Sequence, residues 1–175
     1  MKDALIILWP YRKSEKWYRT MVSKLICFFT NSSYTHAAVY VDGIMYESQV
    51  MNKSNGAMRT VGLPYQARNC RFLKLIEPLS EKKRELLVYN LERKVLSRVP
   101  YNFMKIAVLM FVYPTKRFWN WIGWVPFGNE VYGYVCSTFV DTAFKEIGVD
   151  LLGNNSEEYT SPGDFMSSYL LETIT

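Results

Sequence analysis

His36 is the only histidine among 175 residues, and it lies in the stretch Ser33–Ser48, SYTHAAVYVDGIMYES. Imidazole is the side chain whose ordinary pKa lets it take and return a proton near neutral pH. Cys136 stands far down the chain in YVCSTFVDTAFKEIG. A thiolate beside an imidazole is the nucleophile and base of acyl transfer. The question is whether the fold brings the two together.

The hairpin around His36 supplies its neighbours. Asp42-Gly43 predicts a type I′ turn, which needs φ > 0 at both central residues. That turn pairs Val41 with Ile44, Tyr40 with Met45, Ala38 with Glu47 and His36 with Gln49. Side chains alternate along a strand, so His36, Ala38, Tyr40, Met45, Glu47 and Gln49 share a face. Val39, Val41, Ile44 and Tyr46 take the other, core-facing side. Gln49 then lies opposite the imidazole and Glu47 diagonal to it, both within reach. A group there can hold the far ring nitrogen and stabilise imidazolium. The plain counterpart is a structural histidine with a solvated carboxylate nearby.

Cys136 reads as the head of a helix. Phe139, Val140, Ala143, Phe144 and Ile147 form an apolar stripe, and Cys136 projects on the same face. The first N–H groups of a helix lack intrahelical partners and favour an anion. That placement depresses a thiol pKa and can support an oxyanion. A small buried apolar residue is the alternative reading of the same position. Cys27 falls in an apolar helix and Cys70 in a basic loop. Taken with His36 and Cys136, their spacing matches no closed zinc-site pattern. The residues name no metal and no cofactor.

Elements that position these residues follow from periodicity. Ala4–Trp9 is a short apolar strand ended by Pro10. Ser14–Phe29 is a helix capped by Ser14, with Trp17, Met21, Val22, Leu25 and Phe29 inward. Met51–Arg59 is polar and loop-like, and Arg59–Leu63 and Arg71–Ile76 are short strands. Ser80 caps a helix over Glu81–Arg98, with Leu87, Leu91, Val95 and Leu96 buried; Val99-Pro100-Tyr101 breaks it. A last helix, Ser137–Ile147, ends at Gly148, and Ser161-Pro162-Gly163-Asp164 starts a turn or helix. The fold class is α+β, one domain over 1–175.

Hydrophobic residues at 49% and charged residues at 21% suit a chain that buries a core. The net charge of +5 favours anionic surfaces mildly. A specific nucleic-acid role has no motif behind it. The apolar run Ala4–Trp9 is too short for a signal-peptide core, and no run is long enough to span a membrane. The expectation is synthesis in the cytoplasm without export. The odd cysteine count without CxxC fits reducing conditions.

The order of these motifs carries a resemblance. A strand, a helix, THAAVYVDG–MYES, Val99-Pro100-Tyr101-Asn102-Phe103, YVCSTFVDTAFKEIGVDL and SPGDF follow one another from about Asp3 to Phe165. This resembles the circularly permuted branch of the NlpC/P60 papain-like cysteine hydrolases, the YiiX/YebB-like group, in which the histidine strand precedes the cysteine helix. The resemblance implies a small antiparallel sheet packed against helices. It implies Cys136 as nucleophile, His36 as general base and then acid, and Glu47 as the residue orienting the imidazole. Gln49 remains the alternative third residue. The implied reaction cleaves an amide or ester through a thioacyl-enzyme, with a peptidoglycan peptide amide first among substrates. Lysis, a phage particle or a secretion machine would then deliver the protein to the wall.

Residues 104–130 match nothing in that group and read as an aromatic-rich insertion. Within Phe103–Trp124 an apolar run is followed by Lys116, Arg117 and three tryptophans, which suits a lipid surface. A buried helix or a lid over the cleft is the competing reading. Two alternatives to peptidoglycan hydrolysis follow: a lipid or acyl-protein hydrolase or acyltransferase of the same fold, and an inactive binding or structural module such as a phage or viral component.

Overall fold

The computed structural model describes residues 3–11, 17–51, 54–63, 69–102, 133–153 and 160–174. The Ser14 cap and the aromatic segment 104–130 lie outside the described residues. The elements are β1 (Leu5–Pro10), α1 (Trp17–Thr30), β2 (Tyr34–Val41), β3 (Ile44–Met51), β4 (Ser54–Val61), β5 (Arg71–Leu75), α2 (Glu81–Leu96), α3 (Cys136–Lys145), a 3-10 turn (Pro162–Ser167) and β6 (Leu171–Ile174). The strands form one six-stranded sheet, β4-β3-β2-β1-β5-β6. Every pairing in it is antiparallel. Among the described residues no helix is long and apolar enough to cross a membrane.

The turn at Asp42-Gly43 forms with φ 52° and 80°, the left-handed values that a type I′ turn demands. It sets Val41 against Ile44, Tyr40 against Met45 and Ala38 against Glu47, the register read from the sequence. The ladder ends there. Beyond Ala38 and Glu47 no pair forms between β2 and β3, so the expected His36–Gln49 pair is absent, while Gln49 pairs with Gly56 of β4 and His36 with Trp9 of β1. The reason is β4. Met51–Arg59 is expected to be a loop; instead Met51 ends β3 and Ser54 begins β4, the polar edge strand. Of the Arg59–Leu63 strand expectation, the first part, as far as Val61, belongs to it.

One sheet face packs against the helices. Ile6, Leu8, Val39, Val41 and Tyr46 meet Leu87 and Leu91 of α2 and Phe139, Val140 and Phe144 of α3. Ile44 packs at the margin of this core. The other face carries a smaller cluster of Ile7, Ala38 and Met45, flanked by Trp9, Tyr40, Cys70 and Phe72.

Two helix faces differ from expectation. Trp17 and Met21 of α1 are exposed, and its inward wall is formed by Ile26, Phe29 and Thr30. That set obeys the same i, i+3, i+4 spacing rotated round the helix. In α2, capped by Ser80 accepting from the Lys83 N–H, Leu96 is exposed while Asn90 and Lys94 are buried. Lys94 forms an ion pair with Glu146, just past the end of α3, and its ammonium stands 5.2 Å from the Tyr134 ring. A polar group is drawn inside because its partner lies on the facing helix.

The entry to α3 is fixed by backbone pairing. The Asn102 N–H donates to the Tyr134 carbonyl and the Tyr134 N–H to the Pro100 carbonyl, while the Ser48 hydroxyl donates to Tyr134 from β3. Gly133 makes this approach feasible. Its φ is +115°, and a Cβ there would lie 2.6 Å from the Pro100 oxygen. We expect Gly133→Ala to destabilise the protein by about 1–3 kcal/mol, read as a lowered urea midpoint with an unchanged slope. A midpoint equal to wild type would show that this approach is not constrained.

Candidate active site

Cys136 is the first residue of α3, and its side chain is buried with 5% of its surface exposed. Val135 precedes it with extended backbone and no side-chain cap, so the first N–H groups of the helix are left for other acceptors. The Ser137 N–H is one that reaches the sulfur, and the Ala37 N–H from β2 is another. Burial alone would raise the Cys136 pKa. The charge of His36, a hydrogen bond from it and these two amides outweigh burial and lower it.

His36 lies near the start of β2, beside the irregularity between Trp9 and Pro10 in β1. Its Nε2 stands 2.6 Å from Glu47 Oε2. The other ring nitrogen, Nδ1, is left for the thiol, with which the ring also hydrogen-bonds. Burial works against imidazolium. The attraction and hydrogen bond of Cys136, joined by those of Glu47, overcome it and push the His36 pKa up to about 10. The ring is 21% exposed and so open to a reacting group. Trp9 covers one side, ring centroids 5.2 Å apart.

Sequence reasoning names Glu47 as the third residue and Gln49 as the alternative. The structure puts Glu47 on the imidazole and Gln49 behind it: Gln49 Nε2 donates to Glu47 Oε1 at 2.7 Å. Gln49 therefore fixes the carboxylate that fixes the ring. Cys27 and Cys70 are partly buried cysteines.

Two neighbours were not assigned from sequence. Tyr101 shares the pocket wall with Cys136, and burial together with the cysteine's negative charge holds its phenol well above the usual range. The Pro100-Tyr101 dipeptide was a signal for it. Trp9 had none, because its contact with His36 depends on strand pairing between β1 and β2.

Against solved structures the chain matches the crystal structure of metalloprotein YiiX (DUF1105) from Escherichia coli O157:H7, with TM-score 0.59 and 16% identity over 99% of this chain and 96% of that one. The fold is therefore YiiX-like. No known family profile matches the sequence, and neither does any curated protein.

A chain with one histidine gives one set of imidazole signals in NMR, so this site can be titrated without assignment. We expect the His36 ring to titrate near pH 10. Removing a negative partner disfavours the charged form, so Glu47→Gln and Cys136→Ser should each lower that value. Gln49→Ala should lower it less, since the carboxylate stays but loses its anchor. A wild-type ring titrating near 6.5, unmoved by these changes, would contradict the arrangement.

Proposed function

We propose that the protein is a cysteine hydrolase that cleaves an amide or ester bond through a thioacyl-enzyme intermediate. The observation that carries this reading is the imidazole held between a carboxylate at 2.6 Å and a thiol at the head of a helix. We read the fold as the circularly permuted NlpC/P60 papain-like arrangement. The histidine hairpin preceding the cysteine helix and the YiiX-like fold support that reading.

The roles follow from the chemistry. Cys136 thiolate attacks the acyl carbon. The developing oxyanion is offered backbone N–H groups at the α3 terminus, Ser137 first among them. His36, protonated in the ion pair, gives its proton to the departing amine or alcohol. In the second half it takes a proton from water, which cleaves the thioester and regenerates the pair. Glu47 holds the ring through Nε2 and supports its positive charge, and Gln49 positions Glu47.

The YiiX neighbour is described as a metalloprotein. Among the described residues of this chain, no group of three or more His, Cys, Asp or Glu side chains could hold a metal ion. None of these roles depends on a metal. The resemblance points to a peptidoglycan peptide amide as the bond.

The test is trapping of the intermediate with 4-nitrophenyl acetate, followed by peptide mass mapping. We expect one acetyl group on Cys136, none there in Cys136→Ser, and acylation slowed about 10²–10⁴-fold in His36→Ala. Acetylation spread over lysines, or a Cys136 adduct formed equally fast without His36, would overturn the reading and favour a binding module that keeps the fold.

A further inference from the structure

The carboxylate that holds His36 is itself held from the edge of the sheet. Glu47 pairs with Met58 of β4, and Gln49 with Gly56. Cross-strand partners point to the same face, so Met58 stands beside Glu47 on the face that carries the imidazole. Gly56 leaves Gln49 no side chain directly opposite, and its diagonal neighbour is Met58. Glycine is required there: its φ is +131°, and a Cβ would lie 2.1 Å from the Val99 oxygen. The same oxygen accepts the Ala57 N–H at 2.9 Å, which pins β4 just before Met58.

The Gln49 amide nitrogen thus has two acceptors. Nε2 stands 2.7 Å from Glu47 Oε1 and 3.1 Å from Met58 Sδ. An amide nitrogen carries two hydrogens, and the oxygen end of the amide could donate to neither partner. Both contacts therefore orient the amide the same way. Thioether sulfur is a weak acceptor, and it is also an oxidisable one. Met58 is half-buried, within reach of a small oxidant.

We propose that Met58 is a positioning residue for His36, acting through Gln49 and Glu47, and that it is a modification site at which hydrogen peroxide loosens the imidazole. The sulfur gives an electron pair to one peroxide oxygen. The O–O bond breaks, an S–O bond forms, and the other oxygen leaves as water. Two sulfoxide epimers can result. One sets its oxygen into the 3.1 Å gap, where no oxygen fits beside the amide hydrogen. The other leaves an electron-poor sulfur facing the N–H. In both, the amide gives up its place and Glu47 loses its bond at Oε1. A carboxylate free to turn holds imidazolium less firmly, and a weaker imidazolium supports less thiolate at Cys136. Only the His36–Glu47 contact is needed for this, whatever bond the site cleaves.

The experiment uses the full chain with Cys136→Ser, which removes the thiol nearest the ring as a competing target for peroxide. The protein is treated with hydrogen peroxide, sulfoxides are located by peptide mass mapping, and the His36 ring is titrated by NMR. Met21 and Met166, 48% and 41% exposed, mark the dose. We expect Met58 sulfoxide to form and the proton affinity of the ring to fall about two- to tenfold, the range of one modest hydrogen bond. Met58→Leu, added to the same background, offers no acceptor. It should lower the affinity in the same direction without oxidant, and peroxide should then move it no further. Gln49→Ala decides the matter should the leucine variant not fold: with the relay broken, oxidation of Met58 should leave the ring unchanged. A ring unmoved by Met58 sulfoxide, a ring moved equally in Gln49→Ala, or a Met58 that stays reduced while Met21 and Met166 oxidise would overturn the proposal. Acylation of Cys136 is read separately, so failure here leaves the hydrolase reading standing.

Discussion

Neither charge of the His36–Cys136 pair would survive burial alone. A buried imidazole tends to lose its proton and a buried thiol to keep its own. Here each is offered a partner: the sulfur takes N–H groups from Ala37 and Ser137, and the imidazole takes the Glu47 carboxylate. The rest of the structure can be understood from what this demands. A helix must begin at the cysteine without a side-chain cap, because a cap would take the amides the sulfur uses. A strand must pass beside it so that Ala37 can donate. The neighbouring strand must be in register to put a carboxylate, not an apolar residue, on the ring.

Each demand is met by a nonlocal contact. The backbone pairing of Pro100, Asn102 and Tyr134, closed against Gly133, delivers the chain to Val135 and Cys136 in one direction. Ser48 ties that delivery to the strand that carries Glu47. On the far side of the sheet's core face, Tyr46 donates to Glu92 of α2, and Arg59 of β4 meets the same carboxylate. The hairpin is thus held at both ends of its buried face while its other face is left to chemistry.

The hairpin was legible because its turn is a local rule: Asp42-Gly43 sets the register from four residues, and alternation does the rest. The cysteine helix was legible because Phe139, Val140, Ala143 and Phe144 repeat with helical spacing. What was not legible depended on partners distant in sequence. Met51–Arg59 looks like a loop because an edge strand with polar residues has no apolar alternation to reveal it, and its pairing comes from β3 alone. β6 was missed for a related reason: Leu171–Ile174 is a short edge strand whose only pairing is with β5. The face of α1 is rotated, because its apolar residues lie on more than one side of the helix and do not say which side turns inward. The choice between Glu47 and Gln49 needed the point at which β3 leaves β2, and no local rule supplies it.

The central claim is that His36 holds Cys136 as a thiolate. The direct measurement is the pH dependence of alkylation of the folded protein by limiting iodoacetamide, with mass mapping of Cys27, Cys70 and Cys136, in wild type and His36→Ala. The account predicts that Cys136 reacts with a midpoint below the ordinary thiol value of about 8.5, and that losing His36 moves that midpoint upward. A Cys136 that titrates like an ordinary or buried thiol, with the same profile in both proteins, would contradict it.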